Sequence, residues 1–130
     1  LAPVTPSWLR RVLDESGIRR RVIVLSACYS GGFIKELQSP DTLVIAAAAA
    51  DKPSFGCTDD ADFTYFGRAF FDEAMRREHG LRATYEQAVL TLREREEEQG
   101  YGHSDPQWVL GEKLAQDMPI LERSLFPPVP

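Results

Sequence analysis

The spacing of hydrophobic residues changes once within the first 25 positions of the chain. After Thr5 and Pro6, four apolar residues recur at helical spacing, namely Trp8, Leu9, Val12 and Leu13. This pattern predicts an amphipathic helix with Thr5 as its N-cap and Gly17 as its stop. Residues 22–25 then form a short β-branched run without polar alternation, which is typical of a parallel strand covered on both faces. The first strand is therefore predicted to be central in its sheet.

The remaining pattern alternates strands with helices. Residues 43–50 predict a second buried strand, and residues 63–79 place apolar side chains on one face of a helix that Gly80 ends. Thr84 and Gln87 have the spacing of a capping box and predict the start of another helix. A weaker third strand is predicted for Gln107–Leu110. This alternation indicates an α/β fold, with helices on both faces of the sheet.

Length and charge limit what the chain can be. The 130 residues, 43% of them hydrophobic, suffice for one core and predict a single domain over residues 1–130. The net charge of -5 argues against nucleic acid as a partner. No apolar run approaches the roughly 20 residues that a membrane span needs, so we expect a soluble segment without membrane contact. Its cellular location, attachment to a larger or membrane-anchored protein and formation of a homodimer stay open.

The stretch "RVIVLSACYSGGF", residues 21–33, carries the strongest candidate for chemistry. Cys28 follows the first strand at its carboxyl end, where open parallel sheets hold their ligands. If Gly31 and Gly32 begin a helix, its positive end favours the thiolate form of the sulfur. A lone cysteine beside a strand is usually a packed core residue. Here small neighbours open space around the sulfur, which favours a displayed nucleophile.

One architecture that fits is the nucleophile elbow of α/β-hydrolases, which act on esters or lactones. That elbow has glycine two residues before and two residues after its nucleophile, because the turn is tight. Ser26 and Ser30 occupy those places here. His79 and His103 lie downstream, where the elbow fold would carry its base. This interpretation stays the second choice.

A resemblance favours another architecture. "VIVLSACYSGGF" resembles the nucleophile segment of the legumain-type (C13) cysteine peptidases, and "TLVIAAAAADKPSFGC" is similar to that family's next strand and loop. "TYFGRAFFDEA" resembles its Thr-Tyr-Leu-Gly helix start, and "SDPQWVLG" resembles a late segment of caspase-like relatives. The resemblance implies a caspase-like three-layer sandwich with a mostly parallel sheet, of which this chain would form the C-terminal portion.

The resemblance also implies a mechanism. Cys28 would attack a peptide carbonyl, its backbone N–H would help form the oxyanion hole, and a thioester would then be hydrolysed. The family's base is a histidine on a loop before the nucleophile strand, and no histidine precedes Cys28. We therefore expect an N-terminal part with that histidine to lie outside this sequence, and this chain alone to be inactive. His79 is expected at a helix end and His103 in an exposed loop.

Substrate recognition is expected to differ from that of legumains. Ser26 and Arg68 stand where the family has two acids that help recognise asparagine, and Ser54 would be a lesser contact of the same pocket. An arginine can pair with a carboxylate, so the P1 residue is predicted to be acidic, with asparagine as the family's alternative. The competing interpretation of Arg68 is a solvated helix face. A noncatalytic, caspase-like interaction domain is the competing function.

No cofactor and no metal are expected. Cys57 matches a family cysteine that is not catalytic and is predicted to be a buried structural thiol. Asp59, Asp60 and Asp62 could suggest a cation site, but helix capping by Asp62 is the simpler explanation of this cluster.

Overall fold

The computed structural model describes residues 3–56 and 64–127. Its helices are α1 (Pro6–Glu15), α2 (Ile34–Leu37), α3 (Tyr65–Gly67), α4 (Met75–Arg77), α5 (Leu81–Glu98) and α6 (Glu112–Leu125). A 3₁₀ helix (Ser30–Phe33) precedes α2, and a π helix (Arg68–Ala74) joins α3 to α4. The strands are β1 (Arg21–Leu25), β2 (Thr42–Ala46) and β3 (Gln107–Leu110). Helices and a single described sheet make this a mixed α/β structure.

The described sheet has the strand order β1-β2-β3. β1 and β2 are parallel, with Val22 opposite Leu43, whereas β2 and β3 are antiparallel, with Ile45 opposite Trp108. The expectation of a mostly parallel sheet therefore holds for only one of the two described strand pairs. β2, and not β1, is the central strand of this sheet.

The position of β1 corrects the sequence prediction. All five residues of β1 are only partly buried, whereas all five of β2 are buried. Within the described residues, β1 has a strand neighbour on one side alone. A continuous apolar run indicates a strand that is suited to burial. It does not show whether the described residues provide a neighbouring strand on both of its sides.

β2 is enclosed on both faces. Its residues Leu43 and Ile45 belong to the main hydrophobic cluster, and the alternate residues Val44 and Ala46 are equally buried on the other face. The cluster is completed mainly by side chains of the helices that follow β2: Phe66, Ala69, Phe70, Ala74, Leu81, Tyr85, Ala88, Leu92, Leu114 and Met118. β2 is thus the strand around which the described core is built.

Local signals placed α1 correctly. Thr5 Oγ1 accepts the Trp8 N–H at 3.1 Å, Pro6 is the first helical residue, and Gly17 follows the helix with a φ of 78°. These are the capping interactions that the sequence predicts. α1 has no buried residue and lies against α2.

The predicted helix over residues 63–79 is confirmed in part, as a helical segment from Tyr65 to Arg77 whose middle is a π helix. Phe63 lies outside the described residues. Glu73 of the π helix forms a two-pronged ion pair with Arg95 of α5. This pair ties the two helical segments together next to their shared apolar cluster.

The capping-box prediction at Thr84 is wrong. α5 begins three residues earlier, at Leu81, whose N–H donates to Glu122 Oε1 of α6 at 2.9 Å. Thr84 is buried, and its hydroxyl donates to the Gly80 carbonyl at 2.7 Å. The cap is supplied by a side chain 41 residues away, which a local motif cannot reveal.

Among the helices of residues 3–56 and 64–127, none combines the length and the apolar character that a membrane span requires.

Candidate active site

The carboxyl end of the sheet gathers three loops. β1 and β2 end there together, because Leu25 lies opposite Ala46. β3 begins there, because it is antiparallel and its Gln107 also lies opposite Ala46. Residues 26–33, 47–56 and 99–106 therefore meet at one edge, and Cys28 is exposed in the first of these loops. This is the edge at which the sequence places the candidate nucleophile.

The sulfur of Cys28 is held by the backbone of Ser54. The Ser54 N–H donates to Cys28 Sγ at 3.2 Å, and Sγ lies 3.2 Å from the Ser54 carbonyl oxygen, to which a protonated thiol donates. The N–H stabilises either form of the sulfur, while the carbonyl accepts only from the thiol. The contact fixes the direction of an otherwise exposed side chain.

A strained turn follows the cysteine. Tyr29 has a φ of 57°, in the left-handed region that residues other than glycine adopt uncommonly. Its N–H donates to the Lys52 carbonyl at 2.9 Å, which ties the turn to the loop after β2. Such strain persists only where the surrounding structure holds it, and it occurs often at active sites.

Gly31 is required by close packing of this turn. A Cβ atom there would lie 2.7 Å from the Ala50 nitrogen and 2.8 Å from the Ala48 carbonyl oxygen. The Gly31 N–H donates to the same Ala48 oxygen at 2.8 Å. The backbone of the small residues after β2 thus packs directly against the turn that carries Cys28, which agrees with the small size of these residues.

The expectation that a helix dipole favours the thiolate of Cys28 has to be corrected. The segment after Cys28 is a four-residue 3₁₀ helix followed by a four-residue α-helix, and both are too short for a substantial macrodipole. The Gly31 and Gly32 N–H groups already donate to Ala48 and Tyr29 carbonyls. They do not point at the sulfur. Among the described residues, the Cys28 N–H has no hydrogen-bond acceptor, so this donor is available to a ligand.

Ser26 lies at the same edge and contacts a helix start. Its hydroxyl is 2.7 Å from Thr64 Oγ1, which in turn accepts the Gly67 N–H at 2.9 Å as the N-cap of α3. Thr64 was not among the predicted site residues. A threonine three residues before the glycine of "TYFG" is the capping signal that could have found it.

Arg68 begins the π helix and is exposed. Its positive charge contributes to a lowered pKa of Glu73, behind the larger effect of the hydrogen bond from Arg95. Among the described residues, the hydrogen-bonded ion-pair partner of Glu73 is Arg95 and not Arg68. No hydrogen bond or ion pair links Arg68 to Ser26, Cys28 or Ser54 within the described residues.

Ser54 enters the site through its backbone. The residue is 5% exposed, and its hydroxyl is buried without a hydrogen-bond partner among the described residues. The structure therefore brings Ser26, Cys28 and Ser54 to one edge. Cys57 and the aspartates at positions 59, 60 and 62 lie outside the described residues. No group of three or more potential metal ligands occurs in residues 3–56 and 64–127.

Neither histidine forms a hydrogen bond with Cys28. His79 precedes α5 and is exposed. His103 Nε2 lies 3.1 Å from Glu97 Oε1 in the loop of residues 99–106. That loop reaches the edge of the sheet at which Cys28 lies. Ser104, which follows His103, accepts the Ala49 N–H with its carbonyl at 2.9 Å.

An aromatic contact adds to this edge and was not predicted. The rings of Phe55 and Tyr101 stack with centroids 4.5 Å apart and an interplanar angle of 8°, and Tyr65 lies against the same Tyr101. Phe55 directly follows Ser54, so the stack joins the sulfur-binding loop to the loop before β3. No local pattern couples positions 46 residues apart.

An exposed cysteine, oriented by backbone at the carboxyl edge of an α/β sheet, defines a candidate thiol-nucleophile site. The family model of the Peptidase C13 family matches residues 1–116, and the chain belongs to this family. The legumain-like resemblance is thereby confirmed, and membership supports a cysteine peptidase. No curated protein and no solved structure matches the chain.

Proposed function

We propose that Cys28 is the nucleophile of a cysteine endopeptidase. The observation that carries the proposal is an exposed residue, Cys28, whose sulfur is directed by the Ser54 N–H at the sheet edge, in a chain of the C13 family. The thiolate attacks the carbonyl carbon of a peptide bond and forms a thioester as the amine leaves with a proton. Water then attacks the thioester, which releases the acid and regenerates the thiol.

The Cys28 N–H is the proposed donor to the oxyanion. It has no acceptor among the described residues, and it belongs to the residue whose sulfur forms the new bond. A donor fixed in this way stabilises the negative oxygen that develops during attack. The left-handed Tyr29 and the closely packed Gly31 hold the backbone on the carboxyl side of this N–H in a defined turn.

The free edge of β1 is the proposed place for the missing base. β1 is apolar and partly exposed, and on one side it has no strand neighbour within the described residues. An edge of this kind is ready to pair with another strand. A parallel strand added there would end beside Cys28 and could carry a histidine on its following loop. This addition would extend the sheet towards the caspase-like three-layer sandwich.

Ser26, Ser54 and Arg68 are the proposed substrate-binding residues, with an acidic or asparagine P1 side chain. Ser26 offers a hydroxyl at the Cys28 edge, although Thr64 already shares it. Arg68 is exposed at the start of the π helix. An acidic P1 side chain would pair with this exposed guanidinium, so the preference is expected to weaken as salt screens the interaction.

The test uses the full-length gene product and a peptidyl acyloxymethyl ketone, which labels an active-site thiolate. Mass spectrometry should find the label on Cys28, and Cys28→Ala should abolish both labelling and peptide cleavage. Cys57→Ser is the matched control and should keep both. A label on Cys57 alone, or the absence of labelling and of cleavage for a panel of P1 residues, would contradict the proposal and favour a noncatalytic interaction domain.

The α/β-hydrolase interpretation has its own test. It requires a downstream base, and His103 is the candidate at the right edge of the sheet. Hydrolysis of simple esters that is lost in His103→Ala, but kept in His79→Ala, would replace the peptidase proposal. Under the peptidase proposal, both histidine variants cleave peptides at the unmodified rate.

A further inference from the structure

Glu96 is a fully buried carboxylate in the last turn of α5. Its side chain is 0% exposed, and Oε2 accepts the Ser104 N–H at 3.0 Å. The Glu96 carbonyl accepts the Tyr101 N–H at 2.8 Å. One residue thus binds the loop of residues 99–106, hereafter the α5–β3 loop, at two of its backbone donors.

Hydrogen bonds continue from this loop to the cysteine turn. The Ser104 carbonyl accepts the Ala49 N–H at 2.9 Å, and the Ala49 carbonyl accepts the Lys52 N–H at 3.1 Å. The Lys52 carbonyl accepts the Tyr29 N–H at 2.9 Å. Glu96 is therefore joined by successive backbone hydrogen bonds to the strained residue that follows Cys28.

The α5–β3 loop also reaches the sulfur-binding residue. Tyr101 stacks on Phe55, the neighbour of Ser54. The loop after β2 is consequently held from the α5–β3 loop at two points, by the Ser104–Ala49 bond and by the aromatic stack. Phe55 is adjacent to Ser54, which contacts Cys28, and Ala49 is hydrogen-bonded to Lys52, which binds Tyr29.

Packing alone does not account for an acid at position 96. Glu96 Oε1 has no hydrogen-bond partner among the described residues. An ionisable group that is buried and incompletely paired costs stability, and an apolar side chain of similar size avoids that cost. The carboxylate provides an acceptor for the Ser104 N–H, which an apolar residue cannot do.

We propose that Glu96 is a positioning residue for Cys28: its buried carboxylate holds the α5–β3 loop on residues 49–52, and these residues hold the Tyr29 turn. The role rests on the proposed function in so far as Cys28 is the nucleophile. It predicts local loosening of the cysteine turn when the acceptor at position 96 is lost, with the rest of the core kept.

The experiment compares Glu96→Leu with Glu96→Gln in the full-length protein. Amide hydrogen exchange is measured at Ala49, Lys52 and Tyr29. Glu96→Leu should raise exchange there by about tenfold, the equivalent of one lost buried hydrogen bond. Glu96→Gln keeps a carbonyl acceptor and should restore most of the protection. Glu94→Leu, an exposed neighbour on the same helix, should leave all three amides unchanged.

A second measurement separates positioning from general stability. An electrophile that must be oriented, the peptidyl acyloxymethyl ketone, should label Cys28 about tenfold more slowly in Glu96→Leu. Iodoacetamide needs no orientation, and its rate should change less than the ketone rate. Equal losses with both reagents, or unchanged exchange at Tyr29 in Glu96→Leu, would overturn the positioning role.

Tyr101→Ala keeps the test decisive if Glu96→Leu does not fold. This surface substitution removes the Phe55 stack and should raise exchange at Lys52 and Tyr29 in the same direction. Protection equal to that of the unmodified protein would count against the positioning role. Failure of the unmodified protein to label at Cys28 would reject the proposed function alone, because amide exchange does not depend on it.

Discussion

β1 and β2 are adjacent parallel strands of similar composition with opposite environments. "RVIVL" is partly exposed throughout, whereas "TLVIA" is buried at every position. β2 is enclosed by β1, β3 and helices, and β1 has an open edge within the described residues. Burial is therefore concentrated in β2, and Cys28 follows the more exposed strand.

The sharpest test of this contrast truncates one isoleucine in each strand. Ile45→Ala in β2 should cost about 2–5 kcal/mol of unfolding free energy, because it leaves a cavity in a fully enclosed cluster. Ile23→Ala in β1 should cost roughly 1 kcal/mol, because that side chain keeps contact with water. Urea unfolding followed by circular dichroism measures both. Equal costs would remove the distinction between the two strands.

Substitutions at Gly31 and Gly32 test how the loop after β1 packs against the loop after β2. Gly31→Ala forces a Cβ into the Ala48–Ala50 backbone and should cost about 1–3 kcal/mol, as overpacking does. Gly32→Ala has only Ala50 Cβ nearby, at 3.9 Å, and is the matched control that should change stability by less than about 0.5 kcal/mol. Loss of Cys28 labelling should accompany Gly31→Ala alone. Labelling lost equally in both would mean that the turn does not depend on this contact.

These positions show how far sequence reasoning reaches. The Thr5 cap and the bounds of β3 were predicted correctly, because capping chemistry and a short apolar run are local signals. Within the described residues, β1 is an edge strand and not the predicted central one, since the pattern within a strand does not report its neighbours. At the site, Cys28 and its sheet edge follow from the sequence. The Ser54 contact, the Ala48 acceptor and the buried Glu96 depend on residues far apart in the chain.

The Glu73–Arg95 ion pair tests the helical side of the β2 core. The hydrogen bond from Arg95 holds the pKa of Glu73 below its ordinary value. A carboxyl whose pKa is lower in the folded state stabilises the fold above its unfolded pKa, and this contribution is lost as pH falls through the folded pKa. Arg95→Met should therefore destabilise the protein by about 1 kcal/mol at neutral pH and by less in acid.

Arg76→Met is the matched control for this ion pair, since Arg76 pairs with Asp72 at 3.1 Å on a more exposed part of the same helical segment. It should have little effect at either pH. Urea midpoints at pH 7 and pH 3 provide the measurement. A destabilisation by Arg95→Met that is the same at both pH values would indicate lost packing of the arginine stem and not lost ion pairing.

The smallest expected effects separate the cap of α3 from its contact with Ser26. Thr64→Ala removes the acceptor of the Gly67 N–H and should cost about 1 kcal/mol, the usual value of an N-cap. Ser26→Ala removes one exposed hydroxyl and should cost less than about 0.5 kcal/mol. If Ser26 contacts substrate, its variant should change the P1 preference of cleavage with stability nearly unchanged. A P1 profile altered by Thr64→Ala but not by Ser26→Ala would instead assign that role to the start of α3, because Thr64 would then contact substrate and Ser26 would not.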